Sequence, residues 1–473
     1  LDPRTADRVR GLAKRGTVVY VLRHRSVADY LFVRAVFERE NLPPPEFANG
    51  VSIGWFRSLG WILRRVVWRL ASGELFSRSR RERLDRDAVA TLVASGAPIL
   101  VFLRRRATGI RGIRRPFSAS EGARIGDDYL EEVLRIAQEA GREVFAVPLA
   151  PLRGRGYKRR ESRVSQFIYS VRDAPNEAKK LLTFLFNRRD LSLTIGREIR
   201  LAEFVAKYAG ESEREIARRL GRVLLLFLHR EERVVWGPQL LPKREVREIV
   251  VRSSETRAAI DRIANERRVP VAKVEREARA YFDEMAANFS GAYFSFLALV
   301  FRRIWNRMFG GIVMTGLERV AERLREHPVV LVPCHRSHFD YLILSYIFHS
   351  NFLSPPHIAA GINLSFFPMG MLFRGAGAFF IRRTFGDNEL YKIVFREYLG
   401  YLIREGTTQE FFIEGGRSRT GKILTPKLGM LAAIVNAFVQ RVRQDLYLVP
   451  VSIHYGRIPE EEAYRREKAG EAK

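Results

Sequence analysis

The sequence of 473 residues predicts an α/β protein in which a mainly helical region joins two related domains. Short apolar runs alternate with helix-like segments near both ends of the chain, whereas the middle third is charged and has a helical period. The motif HRSxxDYL occurs twice, at 24–31 and at 335–342. We therefore predict a first domain at residues 1–160, a helical connector at 161–310 and a second domain at 311–473.

Each predicted strand is a short run of β-branched or apolar residues between residues that break regular structure. The runs are TVVYVL at 17–22, PILVFL at 98–103, VFAVPL at 144–149, PVVLVP at 328–333, QEFFI at 409–413 and LYLVPVSI at 446–453. Long helix-like segments separate them, and strands that alternate with helices form α/β units. Each outer domain is therefore expected to contain an α/β sheet.

The matching segments of the two outer domains predict an internal repeat. His24 and His335 are 311 positions apart. Further along, a Val-Pro pair at 147–148 lies opposite another at 449–450, an offset of 302 positions. The order of the segments is kept while the loops change length, as expected for duplication of one α/β domain.

The serine and aspartate of HRSxxD predict the start of a helix. Their spacing is that of a capping box, so Ser337 is expected to cap the helix and Asp340 to lie in its first turn. The same explanation covers Ser26 and Asp29 in the first copy and requires no chemistry. It leaves the preceding histidine unexplained.

His335 is the candidate general base. On one continuous helix His335 and Asp340 would lie about 140° apart. A histidine on the preceding turn can instead fold back over the helix start, where the carboxylate holds it. A neutral imidazole oriented in this way can take a proton from a hydroxyl group. His338 is a rival base, although a place on the helix favours a packing or surface role.

The charge balance predicts an anionic partner. The formal net charge is +29 and the pI is about 10.7, which suits nucleic acid, an acidic lipid surface or phosphorylated substrates. Cations are spread along the whole chain without a nucleic-acid-binding motif, so nucleic acid is the weaker alternative. The single cysteine, Cys334, excludes an intramolecular disulfide and a cysteine-based zinc cluster and indicates a reducing compartment.

Several segments favour contact with a membrane surface. Residues 341–373 carry no formal charge, but Pro355 and Pro356 interrupt them, so a membrane span is not predicted. Basic-aromatic sequence at 285–303 and at 51–70 suits the headgroup region. A core helix with a basic edge is the alternative for each. We expect monotopic or interfacial contact.

Three further motifs follow the second HRSxxD in order: GAFFIRR at 377–383, FFIEGGRSRTGK at 411–422 and LVPVSIHYGR at 448–457. Paired glycines permit close approach to the backbone, and closely spaced cations can neutralise a phosphate. Together these sequences resemble the four motif blocks of the glycerolipid acyltransferase superfamily. Within it they are most similar to the membrane-associated glycerol-3-phosphate acyltransferases and their dihydroxyacetone-phosphate relatives. The close resemblance covers residues from about 310 to 465.

The resemblance implies roles for particular residues. His335 would be the general base and Asp340 its partner, and Pro450 would shape the acyl-donor side. The substrate-binding residues would be Arg382, Glu414, Gly415, Arg417, Ser418 and Arg419. The family commonly has an acidic residue after the tyrosine of the fourth block, where this chain has Gly456. Bacterial members continue beyond that block, so this sequence is expected to be part of a longer protein.

The implied reaction transfers an acyl group from acyl-CoA or acyl-carrier protein to glycerol 3-phosphate and yields lysophosphatidate. Neither a metal nor another cofactor is expected. The implied location is peripheral or monotopic, on an anionic membrane surface at the cytoplasmic face of the bacterial inner membrane. Acylation of dihydroxyacetone phosphate or of a lysophospholipid is the alternative, and a catalytically inactive scaffold is a further one.

The first copy is predicted to be degenerate. It keeps His24 and Asp29, but VFLRRRATG at 101–109 stands opposite the Glu-Gly-Gly block and lacks the glutamate and both glycines. A base without a phosphate-binding loop is not expected to turn over. We expect this domain to be structural, with possible contacts to membrane or acyl chain.

Overall fold

The computed structural model describes residues 3–48, 89–104, 124–139, 142–153, 157, 191–308, 310–385, 387–440, 442–456, 460 and 462. The basic-aromatic segment at 51–70 therefore lies outside the described residues. The chain divides into two compact units, Leu1–Gly154 with Val171–Glu232, and Arg155–Ser170 with Arg233–Lys473. The three-part division at 160 and 310 stays a prediction.

The first unit contains a mixed sheet. Its strands are β1 Gly16–His24, β2 Phe47–Ala48, β3 Ile99–Arg104, β4 Glu143–Arg153, β5 Leu191–Ile195 and β6 Ile199–Arg200. The helices of this part of the chain are α1 Pro3–Arg15, α2 Val27–Arg39, α3 Arg124–Glu139, α4 Leu201–Lys207 and α5 Glu213–Trp236. The order β2-β3-β1-β4 is parallel, and β5 and β6 pair antiparallel with β4. Tyr20, Phe102 and Phe145 are fully buried around β1, the central strand.

The second unit contains a parallel sheet in the order β11-β7-β10-β8-β9. Its strands are β7 Val329–Pro333, β8 His357–Gly361, β9 Ala378–Ile381, β10 Gln409–Glu410 and β11 Tyr447–Val451. Its helices are α6 Lys243–Val251, α7 Ser254–Arg267, α8 Val271–Met285, α9 Gly291–Met308, α10 Leu317–Leu324, α11 Asp340–Ser350, α12 Met369–Gly375, α13 Glu389–Glu405 and α14 Gly429–Val439. Among the residues described, no helix is both long and apolar enough to cross a membrane.

The repeat is visible in the strand order. The arrangement β2-β3-β1-β4 of the first sheet recurs as β8-β10-β7-β11 in the second. Tyr20 pairs with Val147 across β1 and β4, and Leu331 pairs with Val449 across β7 and β11. The two sequence offsets therefore place equivalent residues opposite each other in both sheets. The predicted α/β fold with an internal duplication is confirmed.

Helices from the predicted connector complete the core of the second unit. Val274 and Phe282 of α8 are fully buried in one cluster with Tyr391 and Leu399 of α13, against the sheet residue Phe379. The apolar residues of α8 recur every three to four positions, which turns one face of the helix towards α13. This packing fixes the C-terminal end of α8 beside the carboxyl end of β9.

The two HRSxxD motifs begin their helices differently. Ser26 caps α2, with the Asp29 N–H donating to its Oγ at 3.1 Å, as predicted. Asp340 lies in the first turn of α11, also as predicted. The expectation that Ser337 is the N-cap of this helix is wrong, because α11 begins three residues later and Phe339 occupies the N-cap position. The Ser337 Oγ accepts from the Phe339 N–H at 3.1 Å, in the turn before the helix, and its hydroxyl donates to the Glu460 carboxylate at 2.8 Å.

Candidate active site

A cavity of about 760 Å³ lies at the carboxyl ends of the strands in the second unit. His335 follows β7, Gly361 ends β8, Arg382 follows β9 and Phe412 follows β10, and all four residues line it. In a parallel sheet every strand delivers the next residue to the same edge, so motifs far apart in sequence meet there. The edge of the sheet therefore brings three of the four sequence blocks to one cavity.

His335 and Asp340 form a hydrogen-bonded pair at the cavity wall. The His335 Nδ1 lies 2.9 Å from the Asp340 Oδ2, and the Asp340 side chain is fully buried. An ionised carboxylate only accepts hydrogen bonds, so Nδ1 carries the proton and Nε2 carries the lone pair. The imidazole also stacks on Phe412, with ring centroids 4.0 Å apart. This arrangement is that of a base with its orienting group.

Asp340 is held by donors besides His335. The backbone N–H groups of Arg336 and Ser337 donate to its Oδ2 at 2.6 and 2.9 Å, and the Tyr455 hydroxyl donates to its Oδ1 at 2.6 Å. Burial opposes ionisation, but the hydrogen bonds from His335 and Tyr455 and from the two backbone groups outweigh it and lower the pKa of Asp340. Asp340 is therefore ionised at neutral pH. Tyr455 was not among the predicted site residues, although it lies within the fourth motif block.

A second buried carboxyl group lies near this pair. Glu410 of β10 has no exposed surface, and neither of its carboxyl oxygens has a hydrogen-bond partner among the described residues. Burial, and then the negative charge of Asp340, raise the pKa of Glu410 well above its usual range. Burial therefore favours the neutral form of Glu410.

Two of the predicted substrate-binding residues support the turn that carries His335. The Glu414 Oε1 accepts from the His335 N–H at 3.1 Å, and its Oε2 accepts from the Leu424 N–H at 3.0 Å. The Ser418 N–H donates to the His335 carbonyl at 2.8 Å. Both side chains are almost fully buried, and neither lines the cavity. Their contacts in the structure are structural, and a role in binding substrate stays a prediction.

The cavity wall is strongly basic. Four residues of the predicted substrate-binding set line it, namely Gly415, Arg417, Arg419 and Arg382, and their binding of substrate stays a prediction. Arg383 and Lys427 are further cations on this wall that were not in the predicted set. Gly415 has φ +61°, and a Cβ there would lie 2.6 Å from the Lys427 Cδ. A glycine at this position therefore accommodates the lysine side chain. In the described residues, no group of three or more His, Cys, Asp or Glu side chains is placed to hold a metal ion.

Other predicted residues lie differently. Pro450 is exposed on β11, an edge strand, and does not line the cavity. The position of Pro450 therefore does not support its predicted role on the acyl-donor side. His338 lines the cavity, and its backbone N–H donates to Glu460 at 2.8 Å. Burial, and then the charge of Arg417, lower the pKa of His338. Of the two candidate bases, only His335 has a described contact with a carboxylate through its ring.

Part of the cavity wall is apolar. Helices α9, α11 and α12 and the turn after β8 contribute side chains to it, namely Phe294, Phe301, Leu342, Phe373 and Leu364. The same cavity thus presents a lone pair on His335, several cations and an extended hydrophobic surface. This combination suits a substrate pair of which one member is a phosphorylated alcohol and the other carries an aliphatic chain.

In the first unit, the equivalent turn keeps both residues of the pair. His24 ends β1, and Asp29 is buried in the first turn of α2. The segment at 105–123, which contains most of the sequence opposite the Glu-Gly-Gly block, lies outside the described residues. The degenerate character of this copy stays a prediction from its sequence.

The repeated α/β domain that carries the His-Asp pair matches a known protein family. The sequence model of the family described as Acyltransferase matches the chain twice, at residues 7–115 and 311–454, and the chain belongs to this family. A second model, described as the glycerol-3-phosphate acyltransferase PlsB N-terminal domain, matches residues 88–237. The resemblance drawn from the four motif blocks is thereby confirmed.

Curated relatives point to one branch of the family. A glycerol-3-phosphate acyltransferase from Shewanella halifaxensis is 36% identical over 78% of this chain and 46% of its own. Proteins of the same name from Shewanella loihica and Aeromonas hydrophila are 32% and 36% identical over 89% and 71% of this chain. The chain spans about half the length of the curated relatives that it matches. A solved acyltransferase, PlsC from Thermotoga maritima, is 18% identical and covers 38% of this chain and 91% of its own, and its TM-score of 0.19 supports no statement about the fold.

The hydrogen bond from Tyr455 to Asp340 should stabilise the site in a pH-dependent way. Because the acceptor is a buried charge, Tyr455→Phe is expected to lower the free energy of unfolding by ~1.5–3 kcal/mol at pH 7. The bond lowers the pKa of Asp340, so its contribution is present above the ordinary aspartate pKa of about 4 and is lost as the pH falls through the lower folded value. Denaturant unfolding at several pH values measures this.

Tyr447→Phe is the matched control, because Tyr447 is also on the β11 side of the domain but accepts only a 3.4 Å hydrogen bond from exposed Arg323. Its loss is expected to cost less than about 0.5 kcal/mol. Equal losses for the two variants, or a Tyr455→Phe deficit that does not shrink in acid, would contradict the role given to Tyr455.

Proposed function

We propose that the protein is a glycerol-3-phosphate 1-O-acyltransferase, which moves an acyl group from a thioester to the primary hydroxyl of glycerol 3-phosphate. The observation that supports this most directly is the cavity that joins the His335–Asp340 pair to a basic wall and an apolar wall. The names of the curated relatives agree with it. The products are lysophosphatidate and a free thiol.

In the proposed mechanism His335 is the general base. Its Nε2 takes the proton of the primary hydroxyl as that oxygen attacks the thioester carbonyl carbon. The tetrahedral intermediate collapses with cleavage of the C–S bond, and the proton held on His335 passes to the departing thiolate. Asp340 stabilises the imidazolium that exists between these two steps, and it also holds the ring in the tautomer that leaves Nε2 unprotonated.

The basic wall binds the phosphate group. Arg382, Arg417 and Arg419, with Lys427, can neutralise a dianion at the cavity surface. Holding the phosphate places the primary hydroxyl near His335, which is chiefly a positioning contribution to the rate. Glu414 and Ser418 contribute through the backbone of His335, which they fix.

The apolar wall binds the chain of the acyl donor. Phe294, Phe301 and Phe373 present aromatic surface on which a fatty chain can be buried. The donor is acyl-CoA or acyl-carrier protein, both of which are acidic and are attracted to a protein of formal net charge +29. The reaction as written balances without a metal or a redox cofactor.

Loss of the base should abolish the reaction. We expect His335→Ala to lower kcat by at least about 10³-fold, because no other described ring nitrogen in the cavity contacts a carboxylate. His24→Ala is the matched control in the first copy and should retain most of the activity. Transfer of a radiolabelled acyl group from a thioester to glycerol 3-phosphate measures both. Equal losses in the two variants would refute the assignment of the active copy.

The identity of the acceptor is tested by separate assays with different phosphorylated alcohols. The proposed function predicts that glycerol 3-phosphate is acylated at a higher kcat/KM than dihydroxyacetone phosphate or a lysophospholipid, and the basic wall predicts that glycerol, which lacks the phosphate, is acylated least. Purified protein is assayed with each acceptor at one donor concentration, with glycerol as a control that lacks phosphate. Preference for either alternative would keep the acyltransferase chemistry and change the substrate.

An exposed apolar surface supports contact with a membrane. Helix α9 buries one stripe that includes Phe294 and Trp305, and it exposes a second stripe formed by Phe296, Leu299, Val300, Ile304 and Met308. The same helix also carries three arginines, Arg302, Arg303 and Arg307. Apolar side chains with flanking arginines suit the boundary between acyl chains and anionic headgroups.

The turn before α12 extends this surface. Phe367 is 80% exposed and Met371 is 63% exposed, while Leu364 and Phe373 on either side line the cavity. The Ser290 N–H donates to the Gly375 carbonyl at 3.0 Å, which joins the start of α9 to the end of α12. We infer peripheral or monotopic contact with an anionic membrane surface. The single cysteine fits the cytoplasmic face of the bacterial inner membrane.

Removing the exposed apolar side chains should weaken membrane binding. Phe367→Ser with Met371→Ser is expected to reduce binding to vesicles of phosphatidylcholine and phosphatidylglycerol by at least about tenfold, because burying even one such side chain contributes ~1.5–3 kcal/mol. Cosedimentation measures the bound fraction. Ile249→Ser, on exposed α6 surface, is the control. Unchanged binding of the double variant would show that another surface meets the membrane.

A further inference from the structure

Arg382, one of the cations on the cavity wall, is already engaged by a carboxylate from a different part of the chain. Its Nε and Nη2 donate to the Glu284 Oε1 and Oε2 at 2.7 and 2.6 Å. Glu284 belongs to α8, in the region that the sequence predicts to be a connector. No motif block contains it, and the pair spans 98 positions of sequence.

The guanidinium also lies against two aromatic rings that contact each other edge to face. Its central carbon lies 5.2 Å from the centroid of Tyr281 and 4.7 Å from that of Tyr391. The Asn388 amide donates to the Tyr281 hydroxyl at 2.7 Å, and its oxygen accepts from the Tyr391 N–H at 2.9 Å. The rings and the carboxylate together restrict the arginine to one orientation.

Glu284 is in an unfavourable place for a helical carboxylate. It lies in the last turn of α8, next to Met285, where the helix dipole favours cations. Arg374 offsets the negative end of the helix dipole by donating to the Glu284 carbonyl at 2.6 Å and to the Ala286 carbonyl at 3.0 Å. The local sequence therefore offers no reason for an acid at this position, whereas the geometry of Arg382 does.

The bidentate pair leaves one edge of the guanidinium available. Glu284 occupies the edge formed by Nε and Nη2, and among the described residues no partner is present for Nη1. The Nη1/Nη2 edge can therefore donate two parallel hydrogen bonds to a phosphate, which is the pattern that guanidinium groups favour. Arg382 lines the cavity, so this edge is accessible to a substrate there.

We propose that Glu284 is a positioning residue for phosphate recognition: it holds the Arg382 guanidinium so that its free edge meets the phosphate of the acceptor. This rests on the proposed function. Without Glu284 a long side chain must be ordered each time substrate binds, which weakens binding. A carboxylate at the Nε edge also excludes an anion from that edge, so it restricts the phosphate to one place relative to His335.

The proposal is tested by the split between KM and kcat in the full-length protein. Glu284→Gln should raise the KM for glycerol 3-phosphate about tenfold, leave the KM for the acyl donor unchanged, and change kcat less than about threefold. The inhibition constant of inorganic phosphate, as a competitor of glycerol 3-phosphate, should rise by the same factor. Glu284→Asp keeps the charge on a shorter side chain and should recover part of the loss.

Glu275→Gln is the matched control. Glu275 lies on the same helix, pairs with Arg279 at 2.9 Å, has 27% of its side chain exposed against 28% for Glu284, and does not line the cavity. Melting curves show whether each variant is folded, and Glu284→Asp replaces Glu284→Gln if the latter is not. A lower KM would show that Glu284 competes with the phosphate, and an unchanged KM would show that the pair only supports the fold. Either result overturns the proposal.

Failure of the proposed function gives a different result. Wild-type protein that does not acylate glycerol 3-phosphate refutes that function directly. Calorimetric titration with inorganic phosphate then still reports on the arginine: weaker binding by Glu284→Gln than by wild type keeps Glu284 as a positioning residue for an anion, and equal or tighter binding excludes it.

Discussion

The buried carboxylate of Asp340 is the acceptor on which the site of the second unit depends. It receives hydrogen bonds from the ring of His335, from two backbone groups of the turn and from the hydroxyl of Tyr455. These donors connect the end of β7, the start of α11 and the segment after β11. Because water cannot replace a missing donor at a fully buried oxygen, the orientation of the histidine and the path of the turn are determined together.

Electrostatics in this region follow from the same burial. Burial, and then the nearby charge of Asp340, favour the neutral form of Glu410, which has no described hydrogen-bond partner. Glu414 uses both oxygens on backbone N–H groups.

Much of the fold and part of the site follow from local sequence. Apolar runs predict β1, β3, β4, β7, β10 and β11 but not the five-residue parallel strand β8, and the repeated motif predicts the duplication that the strand order then displays. Two-residue β2 and antiparallel β5 and β6 carry too little local signal and form because β3 and β4 offer edges on which to pair. The side chains that hold the site in place, Tyr455, Glu460 and Glu284, lie between 98 and 123 positions away from their partners, and no local pattern reports such pairs. Ser337 shows the same limit, because its hydroxyl donates to a carboxylate 123 positions away that its local sequence does not predict.

The proposed reaction gives the mixed lining of the cavity a kinetic consequence. In that reaction the two substrates enter as separate molecules, one held by cations and the other by apolar surface, whereas the proposed product, lysophosphatidate, carries both groups on one covalent frame. A ligand attached at two points dissociates only when both attachments open together, so its residence time exceeds that of either half. Under this proposal, release of the product limits turnover, and a bilayer in the proposed contact with the apolar helices raises the rate by accepting the fatty chain.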